Sequence, residues 1–259
     1  MGYNLQHLSW EEVEDLREKA KGVAIVPVGS VEQHGRHLPC GTDSLSAIGV
    51  ADDVAKRVKA LVVPPLWFGW SPHHMAYPGT ITLRPEVLIE LVLDVCKSLA
   101  HHGFKRIIII NGHRVANVPP LQQAAWKVRE ATDANIVLVD LDSMGDTVRR
   151  ELNLASFGHC DEFETSHLLY LHPDLVKEDR ISKYTPKPKR FHVWDSQIPG
   201  DKITWVPSKP PAGEEYERLR EVSGGVHSDP TASTREKGRR IHEALVKNIA
   251  ELIEDMRKS

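Results

Sequence analysis

Lys105-Arg106-Ile107-Ile108-Ile109-Ile110-Asn111-Gly112-His113 is the stretch that decides the fold. Four isoleucines in succession leave no polar face. The strand they form is therefore covered on both sides, as in the middle of a parallel sheet. The Asn-Gly pair ends it and leaves His113 at its carboxyl end. Upstream, Pro85 opens a helix carrying Leu88, Leu91, Val92, Val95 and Leu99, and Gly103 closes it. Downstream, Pro119-Pro120 opens a helix to about Ala131, and Ile136-Val137-Leu138-Val139 reads as the next buried strand. Towards the N-terminus, Val23 to Val28 reads as a strand, residues 44–59 as an amphipathic helix, and Leu61-Val62-Val63 as a strand limited by Pro64-Pro65. Ser9 and Glu12 predict a capping box for a helix from Trp10. The order β-α-β-α-β-α-β predicts an α/β fold, a mainly parallel sheet with helices on both faces.

Beyond residue 145 the pattern loosens. Residues 159–172 read as helical in their second half. Residues 180–230 are rich in proline and lack periodicity, as in a lid, a binding loop or a subunit contact. Ser233-Thr234-Arg235-Glu236 reads as a capping box before a last helix with Ile241, Leu245, Ile249, Leu252 and Met256 on one face.

The chain has 259 residues, enough for one domain over 1–259 with a large core. Lys plus Arg number 33 and Asp plus Glu 36, a net charge of −3, so no basic excess points to nucleic acid. No apolar run is long enough to span a membrane, and Met1 to Trp10 does not read as a signal peptide. Three scattered cysteines, Cys40, Cys96 and Cys160, make no CxxC and fit a reducing cytoplasm.

Chemistry concentrates in Val28 to Asp43, a loop just past the first strand that carries Glu32, His34, His37 and Asp43. Glu32 and His34 are two apart, so an extended segment turns them to the same side. Mixed imidazole and carboxylate donors suit Zn²⁺, Mn²⁺ or Fe²⁺. The bland alternative is a polar loop with a capping Asp. His113 ends the isoleucine strand, and strand ends in a parallel sheet share one edge, so His113 and Glu32 can meet although some 80 positions apart. A third cluster is His159-Cys160-Asp161-Glu162-Phe163-Glu164. Acidic residues in a first helical turn offset the dipole, which accounts for Asp161 and Glu162 as readily as chemistry does. It accounts less well for Glu164, where the apolar pattern has begun.

These stretches resemble the creatininase family of metal-dependent amidohydrolases. Gly29-Ser30-Val31-Glu32-Gln33-His34-Gly35-Arg36-His37-Leu38-Pro39 with Gly41-Thr42-Asp43, then Pro78-Gly79-Thr80, Asn111-Gly112-His113, His159 with Glu164-Thr165-Ser166, Asp229-Pro230-Thr231 and Glu236-Lys237-Gly238 follow the family's order over nearly the whole chain. The resemblance implies a three-layer α/β/α fold and a cytoplasmic homohexamer with two divalent metal ions per subunit. It implies Glu32, His34, Asp43 and His113 as metal ligands, with Asp43 bridging, and His159 or Glu162 in proton transfer. Two cations sharing a water would lower its pKa, and one would polarise a substrate carbonyl. His37, His74 and Arg114 are candidate substrate contacts; for Arg114 a plain surface role is the alternative.

The chain also departs from the pattern. Creatininase carries a Glu two residues after its Asn-Gly-His histidine, where this chain has Val115, which has no ligating side chain. Glu164 is then the carboxylate left to complete the second site. Ala155 and Asp142 fall near the places of tryptophans that close over creatinine, so creatinine is not the expected substrate. The expected reaction is hydrolysis of a C–N bond in a cyclic amide or formamide. Alternatives are carbon–carbon cleavage of a cyclic diketone such as 3-dehydro-scyllo-inosose, and a non-enzymatic metal-binding protein.

Overall fold

A computed structural model describes residues 2–154, 158–184, 221 and 223–258. Most of the proline-rich stretch, and Ala155, lie outside the described residues. Four parallel strands form the sheet among them: β1 (Val23–Val28), β2 (Leu61–Val62), β3 (Arg106–Asn111) and β4 (Asn135–Asp140), in the order β2-β1-β3-β4. The isoleucine strand pairs with β1 along one edge and β4 along the other, Ile108 standing beside Ile25 and Val137. Successive side chains alternate between two helical layers. Ile108 and Ile110 pack with α2 (Thr42–Val58) and α8 (Arg235–Met256). Ile107 and Ile109 pack with α1 (Trp10–Lys19), α3 (Pro85–His101) and α4 (Val118–Ala131). The four isoleucines are all fully buried, which is why none could be polar. The architecture is α/β, a parallel sheet between two helical layers.

The capping box of Ser9 and Glu12 forms as expected. The last helix is capped one residue later than the sequence suggested. Thr234, not Ser233, accepts the Lys237 amide, because Ser233 turns its hydroxyl to the Glu162 carbonyl and the Thr234 amide donates to Ser166 Oγ. Tertiary contacts with α7 (Glu162–Leu171) therefore set the cap. Helix α2 begins at Thr42 rather than Ser44, so Asp43 lies in its first turn. Two short helices, α5 (Leu141–Met144) and α6 (Asp146–Glu151), lead from β4 towards α7. Among the described residues no helix is long and apolar enough to cross a membrane.

Two glycines bring the future ligands together. A side chain at Gly112 would come within 2.1 Å of the Asp43 carbonyl, and one at Gly29 within 2.2 Å of Ser44 Oγ. Only bare backbone lets the start of α2 press against the ends of β1 and β3, which sets Asp43 beside His113.

Candidate metal centre

The carboxyl edge of the sheet holds a small polar cavity of about 30 Å³, roomy enough for water, whose lining includes Glu32, Asp43, His113, His159 and Glu164. His34 stands behind two of these carboxylates, with Nε2 3.0 Å from Asp43 Oδ1 and 4.0 Å from Glu164 Oε2. The hydrogen bonds of its ring fix what that nitrogen carries. His34 Nδ1 is 3.2 Å from the Glu32 carbonyl and donates to it, so in the neutral ring Nε2 bears a lone pair. A lone pair aimed at two carboxylates is repulsive unless a cation or proton sits between them. Orientation of one ring nitrogen by a backbone carbonyl is also the usual support of a metal-ligating histidine.

The remaining donors follow the same logic. The His113 ring is wedged between Asp43 Oδ2, 3.1 Å from Nδ1, and Glu32 Oε2, 3.3 Å from Nε2. Asn111 holds the turn that presents it, donating to the His113 carbonyl at 2.8 Å and accepting the His113 amide at 3.2 Å. Glu32 Oε1 and Oε2, His34 Nε2 and Asp43 Oδ2 are buried without a well-formed hydrogen bond. Burying such groups unpaired costs several kcal/mol each, on the order of 1–3 or more. The donor set therefore fits divalent cations. His34, Asp43 and Glu164 form one group of converging ligand atoms, and Glu32, His73 and His113 another, with Asp43 between them.

Charge states in the metal-free protein agree. Burial favours neutral His34, but Asp43, with Glu164 and Glu32, overrides it and pushes His34 up to about 10. Burial likewise lowers His113, and Glu32 and Asp43 outweigh it, raising His113 to about 9. Burial would raise Asp43, yet His34 and His113 hold it below the usual carboxylate range. Burial raises Glu32, and raises Glu164 well above its ordinary value. Without metal, protons on the imidazoles take the cation's place.

His159 and His74 differ, because burial and the surrounding imidazoles keep both well below their ordinary values. His159 Nε2 donates to the Gln33 carbonyl at 2.7 Å, leaving the Nδ1 lone pair 3.7 Å from Glu32 Oε1. His74 has the opposite tautomer. The Gln33 amide orientation is fixed by the Gly35 amide on Oε1 and the Gly225 carbonyl on Nε2, so Gln33 Nε2 donates to His74 Nδ1. The His74 proton is therefore on Nε2, 3.4 Å from Glu32 Oε1, where it supports the carboxylate.

Two expected site residues lie elsewhere. Glu162 does not line the cavity; its carboxylate is paired with Lys237 of α8. His37 is also outside, bonded through Nε2 to Thr165 Oγ1 of α7 at 2.9 Å. Glu164 does face the cavity, its Oε2 accepting the Cys160 amide at 2.7 Å, and Asp161 caps its helix. Arg114 stands at the rim, 3.8 Å from Asp140 and 3.9 Å from Asp142. Asp142 also lines the cavity, where Arg149 clamps it and Asp161 at 2.8 Å each. Sequence reasoning gave no role to His73, whose only signal was its place in the Pro72-His73-His74 run.

Val115 takes a conformation rare for a β-branched residue, with φ of 62° and the Ala116 amide 2.7 Å from the Arg114 carbonyl. Such a backbone stores about 1–3 kcal/mol of strain. Val115→Gly would release it, less about 0.5–1 kcal/mol of glycine chain entropy. A rise in Tm of roughly 2–4 °C is expected by calorimetry; an unchanged or lower Tm would show that the turn is unstrained.

The family model for creatininase, described as creatinine amidohydrolase, matches residues 6–253. Creatinine amidohydrolase of Pseudomonas putida is 33% identical over 96% of this chain and 95% of its own length. The 3-dehydro-scyllo-inosose hydrolase of Thermotoga maritima is 29% identical over 68% of this chain and 59% of its own. A solved structure described as manganese creatininase superposes with a TM-score of 0.75 at 29% identity, covering 99% of both chains.

Proposed function

The chain belongs to the creatininase family of hydrolases, and from that premise we propose that it cleaves the C–N bond of a cyclic amide or formamide other than creatinine, at a centre of two divalent ions. The observation that carries this reading is the convergence of His34 Nε2 on Asp43 Oδ1 and Glu164 Oε2, at 3.0 and 4.0 Å. Glu32, Asp43 and His113 would hold one ion, and His34, Asp43 and Glu164 the other. When bound, divalent cations supply Lewis-acid polarisation of a carbonyl and acidify water near neutral pH.

The chain's own residues supply the proton traffic. His159, kept neutral by burial and tied at Nε2, accepts a proton at Nδ1 and returns it to the leaving nitrogen. With Glu162 engaged by Lys237, this task falls to His159 alone. His74 Nε2, 3.4 Å from Glu32 Oε1, would steady that carboxylate once an ion holds it. The central void is small, so the body of the substrate extends beyond it. Arg114 and Val115 line both the void and an adjoining groove of about 650 Å³, which supports a role for Arg114 in orienting that body. The family resemblance supports assembly as a homo-oligomer, with a hexamer as the expected state.

The test is a screen of protein loaded with Zn²⁺, Mn²⁺ or Fe²⁺ against lactams, formamides, cyclic ketones and creatinine. Release of amine, ammonia or formate is expected, with little turnover of millimolar creatinine. Val115 in place of a ligating carboxylate, and Asp142 near a tryptophan place, argue against creatinine. Efficient creatinine turnover would contradict the reading, and ring opening without nitrogen release would move it to carbon–carbon hydrolysis.

A further inference from the structure

We propose that His73 is a metal ligand, adding a second imidazole to the ion held by Glu32 and His113. The inference rests on the two-ion reading above and adds a residue to it. The ligand atoms of Glu32, His73 and His113 all lie within 4.8 Å of one another. The His73 and His113 rings run nearly parallel, 11° apart, with centroids 6.0 Å apart, and both residues line the cavity with Glu32. Donors sharing a zinc at about 2.0–2.1 Å lie roughly 3–3.5 Å from each other, so a tightening of at most about 1–2 Å closes the set.

The turn that carries His73 is tethered to the groups it would serve. Pro72–His74 is a single 3-10 turn, closed by the Met75 amide on the Pro72 carbonyl. Ser71, at its start, lies with Oγ 2.5 Å from Ser30 Oγ and 3.3 Å from His113 Nε2, and its amide donates to Thr82 Oγ1 at 2.8 Å. The turn is thereby pinned on both sides of the cavity. The next residue cannot play this part, because the His74 Nδ1 lone pair is taken by Gln33 and its Nε2 carries a proton. Adjacent histidines thus divide the labour, His73 ligating and His74 holding the carboxylate.

The test uses the full chain loaded with zinc. Imidazole scattering in the zinc X-ray absorption spectrum should give about three histidines over two ions, about 1.5 per ion, from His34, His73 and His113. His73→Phe keeps a ring beside His113 and removes the donor. Its count should fall to about one per ion, and competition with a chelator should show one of the two zinc ions bound at least tenfold more weakly. The wild-type count needs no variant, so it stands even if His73→Phe fails to fold. Equal counts and equal affinities in both proteins, with two ions bound, would overturn the role of His73 alone. A wild-type protein that binds no zinc would overturn the two-ion reading beneath it.

Discussion

Asp43→Asn is expected to lower turnover by roughly 10³-fold or more and to leave the protein unable to retain metal. The carboxylate stands between two imidazoles, Oδ1 3.0 Å from His34 Nε2 and Oδ2 3.1 Å from His113 Nδ1. It touches donors of both proposed ions, so its loss weakens both at once. Asn keeps the volume and one acceptor but loses the charge that compensates two buried cations. The effect reaches the metal-free protein too. Asp43 heads the groups that hold His34 charged, so in Asp43→Asn the pKa of His34 should fall from about 10. Proton-detected titration of the histidines would follow this. Normal turnover in Asp43→Asn would remove Asp43 from the centre.

Glu164→Gln is expected to cost roughly 10²-fold in turnover and to weaken one ion while sparing the other. Val115 leaves the second ion without the carboxylate found at the family position. Glu164 is the remaining one that lines the cavity near His34, 4.0 Å from its Nε2. Its buried carboxyl is raised well above the usual range and favours protonation until a cation replaces the proton. Glu162→Gln makes the contrast. It breaks the pair with Lys237 on α8 and should lower Tm without changing metal content. Metal analysis and thermal melts of the two variants separate these roles. Two ions bound at wild-type strength in Glu164→Gln would assign the second site to another residue.

The fold was legible because a short run of β-branched residues, ended by a turn signal, marks a strand buried on both faces. Ile107 to Ile110 alternate between two cores, and the alternation forces all four to be apolar. Glu32, His34, Asp43 and His113 were legible from motif and strand position together, and the structure brings them within contact distance. The split between Glu162 and Glu164 could have been read and was not. Residues two apart on a helix point to nearly opposite sides, so one carboxylate facing the sheet edge turns the other towards α8. His73 was hidden for a different reason. It lies in an aperiodic loop, where spacing gives no face, and only the tertiary path from Ser71 to His113 places it. The clamp of Arg149 on Asp142 and Asp161 joins segments without a local pattern, so no sequence rule announces it.

Metal uptake is also coupled to pH, with a defined sign. His34 and His113 hold protons up to about 10 and 9 in the metal-free protein, and ligation must displace them. Apparent affinity should rise between pH 7 and 9, by roughly tenfold per pH unit for each proton displaced.

Elemental analysis of the purified chain, equilibrated with Zn²⁺, Mn²⁺ or Fe²⁺ and then dialysed, tests the centre most directly when run beside Asp43→Asn. The account predicts up to two ions per chain in the wild type and none retained by the variant. Absence of bound metal in the wild type with all three ions, or an equal load in Asp43→Asn, would contradict it.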